Sequence, residues 1–325
     1  MENHQHIFKD NNFDFIAETL KIFRHQYTNN SVYQSFCKLL KIKSEELTNI
    51  DEIPFLPVSF FKSHEIKTNN FKEEIIFTSS GTTGNSTSKH FVKSLSLYEQ
   101  SFVSCFELFY GKPENYCVLA LLPSYLEREG SSLIYMTQHL ITLSKHPSSG
   151  FYLDNIDELA EQLIILEKQQ QPTILIGVSF ALLDLFEKHQ FNLKHTIIME
   201  TGGMKGKRKE LTREELHQFI KKASGVKQVH SEYGMTELLS QAYAKNDGLY
   251  STPPWMKVII KDINDPFQSL PTNSTGAINI IDFANINSCS FIATQDLGKI
   301  YDNGQFEVIG RFDNSDIRGC NLLVQ

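Results

Sequence analysis

Cysteine is scarce in this chain, and its placement excludes two kinds of site. The five cysteines are odd in number, lie far apart and form no CxxC pair. Disulfide frameworks and structural zinc sites both require paired or closely spaced cysteines, so we expect neither. Cys37, Cys105 and Cys117 lie in apolar segments and are expected to be ordinary core residues, whereas Cys320 lies close to the last residue.

Long apolar runs and basic runs are absent as well. No uninterrupted apolar stretch reaches the roughly 18 residues of a membrane span, and no apolar stretch typical of a signal peptide follows the polar N-terminus. The formal net charge is −7, whereas nucleic-acid binding depends on basic side chains that neutralise phosphates. We therefore expect a cytoplasmic protein with no membrane span and no nucleic-acid partner.

The order of the apolar segments indicates an α/β fold. With 325 residues, of which 41% are hydrophobic and 21% charged, the chain can bury a large core. Helical spacing predicts helices over 13–27 and 31–47. Strands and helices then alternate, which is typical of parallel sheets covered by helices. After residue 251, strands with short turns between them are predicted, and no helix longer than a turn. The alternating region is predicted to contain strands over 74–78, 116–122, 173–178 and 195–200, and helices over 95–109, 131–143, 156–169, 180–189 and 212–223.

A hydroxyl-rich loop follows the first of these strands. Its sequence, TSSGTTGNSTSKH over residues 78–90, is rich in Ser and Thr and contains two glycines. Glycine backbone N–H groups and hydroxyls can bind phosphate oxygens together. The loop is not a Walker A motif, because no Gly-Lys-Ser/Thr stands at the required spacing. The alternative is a solvated loop without a ligand.

The segment HSEYGMTE, residues 230–237, combines three kinds of ligand-binding group. The ring of Tyr233 can stack on a purine, Thr236 offers a hydroxyl, and the carboxylate of Glu237 can bind Mg²⁺. The alternative is the start of a helix, with Ser231 and Glu232 at its terminus.

Three further segments carry candidate ligand-binding residues. METGGMKGKRKE, residues 199–210, follows a strand, and Gly202 and Gly203 would allow close approach by a flat ligand. In TQDLG, residues 294–298, Asp296 can accept hydrogen bonds from ribose hydroxyls. In GRFDNSDIRGC, residues 310–320, Arg311 can donate to a sugar or a phosphate. Turns between strands explain the last two segments equally well.

Taken in order, the five segments resemble the adenylate-forming superfamily, and more closely the LuxE-type acyl-protein synthetases and the phenylacetate-CoA-ligase-like enzymes. The segments FLPVSFFKSHEI, LLPSYLEREGSSLIYM, HSEYGMTELLSQ and FIATQDLG carry this resemblance, which extends over 53–320. It implies an adenylation large domain over 1–311, with a helical region over 1–50, an α/β core over 51–250 and a β subdomain over 251–311. A hinge remnant and a cysteine-bearing tail are expected over 312–325.

The resemblance also implies a role for each matching residue, with ATP and Mg²⁺ as cofactors. Tyr233 is expected to stack on adenine, beside Gly202 and Gly203. Thr236 is expected to contact phosphate, and Glu237 to bind Mg²⁺. The ATP phosphates are expected to be bound by Ser79, Ser80, Gly81, Thr82, Thr83 and Gly84, with Lys89 at the end of the loop.

Ribose binding is expected from Asp296 and Arg311, and Asp313 matches the superfamily's hinge position. Lys62 and Arg128 lie in family-like segments and are candidates for neutralising charge, with a surface ion pair or a structural contact as the alternative for both. The superfamily usually has a further small domain that supplies a lysine for adenylation. The sequence ends shortly after the hinge, so no position for that lysine is expected, and LuxE-type proteins are similarly abbreviated.

The implied reaction is attack of a substrate carboxylate on the α-phosphorus of ATP, with release of pyrophosphate. A carboxylate is already ionised at neutral pH and needs no general base, so catalysis consists of positioning two anions and stabilising charge. LuxE-type enzymes then accept the acyl group on a cysteine near the C-terminus, and Cys320 is the matching residue. Arg318 would favour its thiolate. The alternative is that Cys320 is an ordinary residue of a last short strand.

Three functions are open at this point. In the first, acyl-AMP is formed from a carboxylic acid, most simply a fatty acid, and the acyl group passes to Cys320 and then to a reductase or carrier protein, in an enzyme that can assemble as a homo-oligomer. In the second, the chain is an acyl- or aryl-CoA ligase completed by a partner chain. In the third, it is a scaffold that binds nucleotide without turnover.

Overall fold

The chain folds as two compact units. The first consists of Met1–Tyr98, Glu237–Ser240 and Ser251–Gln325, and the second of Glu99–Thr236 and Gln241–Tyr250. The computed structural model describes residues 7–8, 13–79, 87–123, 130–153, 155–202, 211–246 and 248–312. The predicted boundaries near residues 50, 250 and 311 stay predictions.

Four of the described α-helices begin at a capping side chain. The Asp14 side chain accepts the N–H groups of Ile16 and Ala17 at the start of the first helix. Thr212 and Glu215 form a capping box at the start of the last one, which is predicted over 212–223. The described α-helices are α1 (Phe15–Asn29), α2 (Ser31–Leu39), α3 (Phe60–Ser63), α4 (Leu95–Tyr110), α5 (Ser132–Ser144), α6 (Ile156–Lys168), α7 (Ser179–Lys188) and α8 (Arg213–Ser224).

The strands fall into a central group of short apolar segments and a longer terminal group. Four of the described strands coincide closely with those predicted over 74–78, 116–122, 173–178 and 195–200, and Thr173–Val178 matches its prediction at both ends. The described strands are β1 (Leu56–Pro57), β2 (Ile75–Thr78), β3 (Lys89–Val92), β4 (Cys117–Leu121), β5 (Gly150–Tyr152), β6 (Thr173–Val178), β7 (Thr196–Thr201), β8 (His230–Tyr233), β9 (Ala242–Ala244), β10 (Tyr250–Ser251), β11 (Met256–Lys261), β12 (Thr275–Asp282), β13 (Phe291–Ile300) and β14 (Phe306–Arg311).

In the second unit, a parallel sheet forms the core. Its strand order is β9-β8-β7-β6-β4-β5, and all neighbours are parallel except β8 and β9. Every residue of β4 and β6 is buried, which explains their continuous apolar sequences, because a parallel strand covered on both faces has no solvent side. Helices α6, α7 and α8 contribute their apolar faces to the same core.

In the first unit, the terminal strands form an antiparallel sheet in the order β11-β12-β13-β14, and β1 pairs in parallel with β13. Strands β2 and β3 form a separate antiparallel pair. A short 3-10 helix, Phe283–Asn287, follows β12. The predicted α/β class with a terminal β-rich region is confirmed.

One predicted helix is wrong in its second half. The pattern predicts a helix over 31–47, but α2 ends at Leu39. Lys41 takes a φ of 59°, a left-handed conformation that an α-helix cannot contain. Residues 42–47 form no helix, and their apolar side chains Ile42 and Leu47 belong to an irregular segment.

The cysteines predicted to be core residues are buried. Cys37, Cys105 and Cys117 are buried free thiols, as is Cys289, while Cys320 lies outside the described residues. None of the helices described above combines the length and the apolar composition that crossing a bilayer requires.

Candidate nucleotide-binding site

The predicted phosphate loop connects the two strands of a hairpin in the first unit. Thr78 and Lys89 are opposite each other at the end of the β2–β3 pair. Beyond them, Ser79 and Ser88 are joined twice: the N–H of Ser88 donates to Oγ of Ser79 at 2.9 Å, and the N–H of Ser79 donates to the carbonyl of Ser88 at 3.1 Å. Both ends of the loop are therefore held in place. The predicted phosphate ligands Ser80, Gly81, Thr82, Thr83 and Gly84 lie outside the described residues.

The predicted metal ligand of the same unit is a buried carboxyl group. Glu237 is 5% exposed. Burial raises the pKa of Glu237, while a hydrogen bond from the Ser88 hydroxyl and the positive charges of Arg311 and Lys62 act in the opposite direction. Glu237 thus adjoins the residue that closes the phosphate loop. A buried carboxylate gains most from a nearby cation, and its oxygens are the kind of ligand that Mg²⁺ takes. This side chain therefore fits a magnesium ligand.

The two predicted ribose ligands, also in the first unit, are neighbours in the sheet. Asp296 on β13 and Arg311 on β14 are partners in the antiparallel register. Nε of Arg311 lies 3.6 Å from Oδ1 of Asp296, with the Arg311 side chain 70% exposed and that of Asp296 18% exposed. The Arg311 side of this ion pair is exposed to solvent, so its guanidinium is accessible to a ligand.

In the second unit, the predicted adenine-binding residues lie at the carboxyl ends of two neighbouring parallel strands. Thr201, the last residue of β7, is the register partner of Glu232 on β8. Gly202 follows β7 with a φ of 71°, which glycine adopts without a steric penalty. Tyr233 ends β8, and its ring lies 5.8 Å from that of Tyr250. Ligands bind at such strand ends in open α/β sheets.

These placements test the motif predictions one by one. The alternative that residues 230–237 begin a helix is wrong, since His230–Tyr233 form a strand. Thr236 follows that strand and is partly buried. Lys62, in α3, and Lys89, in β3, are exposed in the first unit. Gly203, Arg128, Asp313, Arg318 and Cys320 lie outside the described residues.

Sequence reasoning missed a buried polar cluster in the second unit, beside Gly202. The hydroxyl of Ser179, the first residue of α7, lies 2.6 Å from the carbonyl of Gly202 and 2.9 Å from Oε1 of Glu200. Nε2 of His217 lies 3.8 Å from the other oxygen of Glu200. The sequence position of the two carboxylates could have indicated this cluster, because Glu200 and Glu232 each lie just before a glycine-containing loop at the end of a strand.

Glu232 completes this cluster. Its carboxyl group is buried and accepts a hydrogen bond from the hydroxyl of Thr201. Burial raises the pKa of Glu232 to about 7; the charge of Glu200 adds to this rise, and the bond from Thr201 opposes it. A carboxyl group whose pKa is raised to about 7 therefore lies next to Tyr233 in the sequence and is bonded to Thr201, the residue before Gly202.

Comparison with known proteins gives one family. The model of the family "Acyl-protein synthetase, LuxE" matches residues 3–325. Two relatives are named long-chain-fatty-acid–luciferin-component ligase. The protein from Photorhabdus luminescens is 42% identical over 66 residues, covering 20% of this chain and 56% of that protein. The protein from Vibrio harveyi is 24% identical over 329 residues, covering 92% and 84%.

Two solved structures share the fold. One is a 2-hydroxyisobutyryl-CoA ligase in an open conformation with 2-HIB-AMP and CoA, with a TM-score of 0.69, 11% identity, and coverage of 92% of this chain and 69% of that one. The other is ATP-bound MatB from Rhodopseudomonas palustris, with a TM-score of 0.55, 17% identity, and coverage of 75% and 49%. The chain thus matches about half the length of MatB. The likeness confirms the predicted fold.

Proposed function

The chain belongs to the LuxE family of acyl-protein synthetases, and from this premise we propose that it uses ATP to activate a long-chain fatty acid as acyl-AMP and transfers the acyl group to Cys320. The observation that carries the proposal is the set of contacts made by Glu237 in the first unit. Its carboxyl group accepts a hydrogen bond from Ser88, at the base of the predicted phosphate loop, and interacts electrostatically with Arg311. A metal-binding carboxylate, a phosphate loop and a ribose-binding pair are the parts that adenylation needs.

The first half-reaction is an in-line displacement. A carboxylate oxygen of the fatty acid forms a bond to the α-phosphorus of ATP, the bond from that phosphorus to the bridging oxygen breaks, and pyrophosphate leaves. In this proposal Ser79 and the loop that follows bind the phosphates, and Lys89, at the end of that loop, together with Thr236 offsets developing negative charge. Mg²⁺, bound by Glu237, would neutralise charge on the phosphate oxygens.

In this proposal the nucleoside is bound through its sugar and through its base. Asp296 accepts hydrogen bonds from the ribose hydroxyls and Arg311 donates to the sugar or to a phosphate. Tyr233 stacks on adenine, and the backbone of Gly202 and Gly203 borders the ring. The ATP complex of MatB and the adenylate complex of the hydroxyisobutyryl-CoA ligase, two proteins of the same fold, support a nucleotide as the ligand.

The second half-reaction forms a thioester. The sulfur of Cys320 attacks the acyl carbon of acyl-AMP as a thiolate, and AMP leaves with the electron pair of the broken carbon–oxygen bond. The described cysteines are poor candidates for this step, because a thiolate is the nucleophile. Burial raises the pKa of Cys37 to about 12 and that of Cys117 to about 11, and raises that of Cys289 further.

The proposal also includes the class of acid and the protein that next accepts the acyl group. The relatives' names specify a long-chain fatty acid, which is the acid class proposed here. A protein thioester is a reactive acyl donor, so a reductase or a carrier protein is the proposed next acceptor, with the reaction taking place in the cytoplasm. Assembly into a homo-oligomer is part of the proposal, as the earlier resemblance implies.

The test is covalent labelling with a radioactive long-chain fatty acid and ATP. We expect label on the wild-type protein, released by hydroxylamine, and no label on Cys320→Ser. Cys117→Ser removes a buried thiol of raised pKa and should label normally. Equal labelling of Cys320→Ser would exclude this thioester.

A CoA ligase is the second candidate, favoured by the CoA-bound ligase of the same fold. It is distinguished by adding CoA to the same reaction. Formation of acyl-CoA by the Cys320→Ser protein at the wild-type rate would establish it. ATP–pyrophosphate exchange without any acyl-CoA would exclude a ligase that works without a partner chain. The exchange itself would exclude a scaffold that binds nucleotide without turnover.

A further inference from the structure

Asn285 forms hydrogen bonds with the backbone of the segment that contains Glu237, the proposed metal ligand. Its side chain is fully buried in the 3-10 helix after β12. Nδ2 donates to the carbonyl of Glu237 at 2.7 Å and to the carbonyl of Cys289 at 3.1 Å, while Oδ1 accepts the N–H of Leu239 at 3.0 Å. One side chain thus contacts the chain at Glu237 and again two residues later.

Asp282 holds the next residues of the same segment. Its Oδ2 accepts the N–H groups of Leu239 at 3.1 Å and Ser240 at 3.0 Å. Its Oδ1 accepts the Ser240 hydroxyl at 2.6 Å and the N–H of Ala284 at 3.0 Å. Nε1 of Trp255 donates to the same hydroxyl at 3.0 Å. The segment Glu237–Ser240 is therefore fixed to the end of β12 by side chains, although it is not a strand or a helix.

This hydrogen-bond network extends to the first helix, α1. Gln26, a buried residue of α1, donates through Nε2 to the carbonyls of Asn285 and Ile286, both at 3.1 Å. Its Oε1 accepts the N–H of Ser290 at 2.9 Å. Because both amide ends of Gln26 are used, the 3-10 helix that carries Asn285 has one defined position on α1.

We propose that Asp282 and Asn285 are positioning residues that set the orientation of Glu237 for binding Mg²⁺, with Gln26 supporting Asn285 from α1. The inference rests on the metal-binding role proposed above for Glu237. Outer residues that fix a metal ligand commonly change metal affinity without touching the ion. Burial raises the pKa of Asp282, and the hydrogen bonds that its carboxylate accepts from Ser240, Ala284 and Leu239 oppose this rise and favour the charged form.

The experiment measures Mg²⁺ binding through thermal unfolding, because a ligand that binds the folded state raises Tm. Wild-type protein is titrated with Mg²⁺ at saturating ATP, and the concentration giving half of the maximal rise in Tm is recorded. Asn285→Ala should raise this concentration about tenfold, the usual scale for loss of an outer residue at a metal site. Glu237→Gln should raise it further.

The matched control is Asn279→Ala. Asn279 is a buried asparagine of β12 whose Nδ2 donates to the carbonyl of Ala277 at 3.1 Å, and it should bind Mg²⁺ as the wild type does. Gln26→Ala is the second variant and is measured in parallel, so that the inference is tested even if Asn285→Ala fails to fold. Its half-saturating concentration should also rise.

The outcomes separate the inference from the proposed function. A raised concentration in Asn285→Ala or Gln26→Ala, with Asn279→Ala unchanged, supports the positioning role. Wild-type values for both Asn285→Ala and Gln26→Ala, alongside a shifted Glu237→Gln, overturn it and leave the metal assignment intact. An unchanged Glu237→Gln overturns the metal assignment itself, and the positioning role with it.

Discussion

The carboxyl group of Glu232 accepts a hydrogen bond from the hydroxyl of Thr201, its register partner on the neighbouring parallel strand. Both side chains are buried, and the pKa of Glu232 is about 7 for the reasons given above. A carboxyl group ordinarily titrates near 4.5, so the folded protein retains a proton that the unfolded chain has already lost.

This relationship predicts how stability depends on pH. Because the pKa of Glu232 is raised in the folded state, its contribution is fully present below about pH 4.5 and is lost as pH rises through about 7. We expect Glu232→Gln, which stays neutral, to remove this loss. Relative to wild type, its free energy of unfolding should rise by roughly 2–3 kcal/mol between these two pH values.

Denaturant unfolding of both proteins across this pH range checks the prediction. Glu158→Gln is the control, because Glu158 is exposed in the first turn of α6. A difference between Glu232→Gln and wild type that does not vary with pH would contradict the assignment.

Ser179 is predicted to support nucleotide binding through the backbone of Gly202. Its hydroxyl lies 2.6 Å from the Gly202 carbonyl, so Ser179→Ala releases the loop that borders the proposed adenine site. Loss of one such hydrogen bond is worth about 1 kcal/mol, and we expect KM for ATP to rise about fivefold, with KM for the fatty acid unchanged. Steady-state pyrophosphate release measures both constants.

Ser224→Ala is the matched control for this prediction. Ser224 is another buried serine of the second unit, and its hydroxyl donates to the carbonyl of Ile220 at 2.6 Å, within α8. Equal KM values for ATP in the two variants would show that Ser179 has no specific link to the nucleotide.

The sequence predicted the parts of the fold that depend on local pattern. Strand β6 is a continuous apolar run whose residues are all buried, and α8 begins at a capping box, so both are visible without knowledge of the neighbours. Strand β3 was not predicted, because KHFV mixes a basic residue with apolar ones and pairs with β2 only after the hydroxyl-rich loop.

Site residues could be predicted where the residue type alone indicates a ligand. They could not be predicted where the role depends on contacts in the folded protein. Asp296 and Arg311 were found as sugar-binding types and prove to be register partners. Asn285 and Asp282 carry no motif, since their partners lie 48 and 42–43 residues away in the sequence. Such contacts are fixed by tertiary structure, which no local pattern reports.

Asp296 is predicted to recognise ribose while contributing little to stability. Its ion pair with Arg311 is largely exposed on the arginine side, so Asp296→Ala should change the free energy of unfolding by less than about 1 kcal/mol. Hydrogen bonds to a charged acceptor are worth about 1.5–3 kcal/mol, so KM for ATP should rise about tenfold or more. The preference for ATP over 2′-deoxy-ATP should disappear with it.

Asp302→Ala provides the comparison. Asp302 is an exposed carboxylate of the same unit that accepts hydrogen bonds from Thr272 and Asn273 in a turn, and its removal should leave the preference for ATP intact. If Asp296→Ala still discriminates between the two nucleotides, Asp296 does not bind the 2′-hydroxyl.

We predict that glycine is required at position 234 because there is no room for a side chain, and not because of its backbone angle. It does not take a positive φ, but an added Cβ would overlap Oε1 of Glu232 and lie 3.6 Å from Cγ of Gln241. Glu232 cannot easily yield, because it is buried and bound to Thr201. Overpacking of this kind costs about 1–3 kcal/mol, and we expect Gly234→Ala to lose that much stability in denaturant unfolding.

The same substitution should impair catalysis. Gly234 directly follows Tyr233, and displacement of Glu232 would disturb the end of β8, which holds the Tyr233 ring. We therefore expect a higher KM for ATP in Gly234→Ala. Gly150→Ala, in β5 of the same unit, meets nothing within 4 Å of its new Cβ and should match wild type in both measurements. Wild-type stability in Gly234→Ala would mean that Glu232 can move aside, and the buried cluster would then be too loose to position the nucleotide.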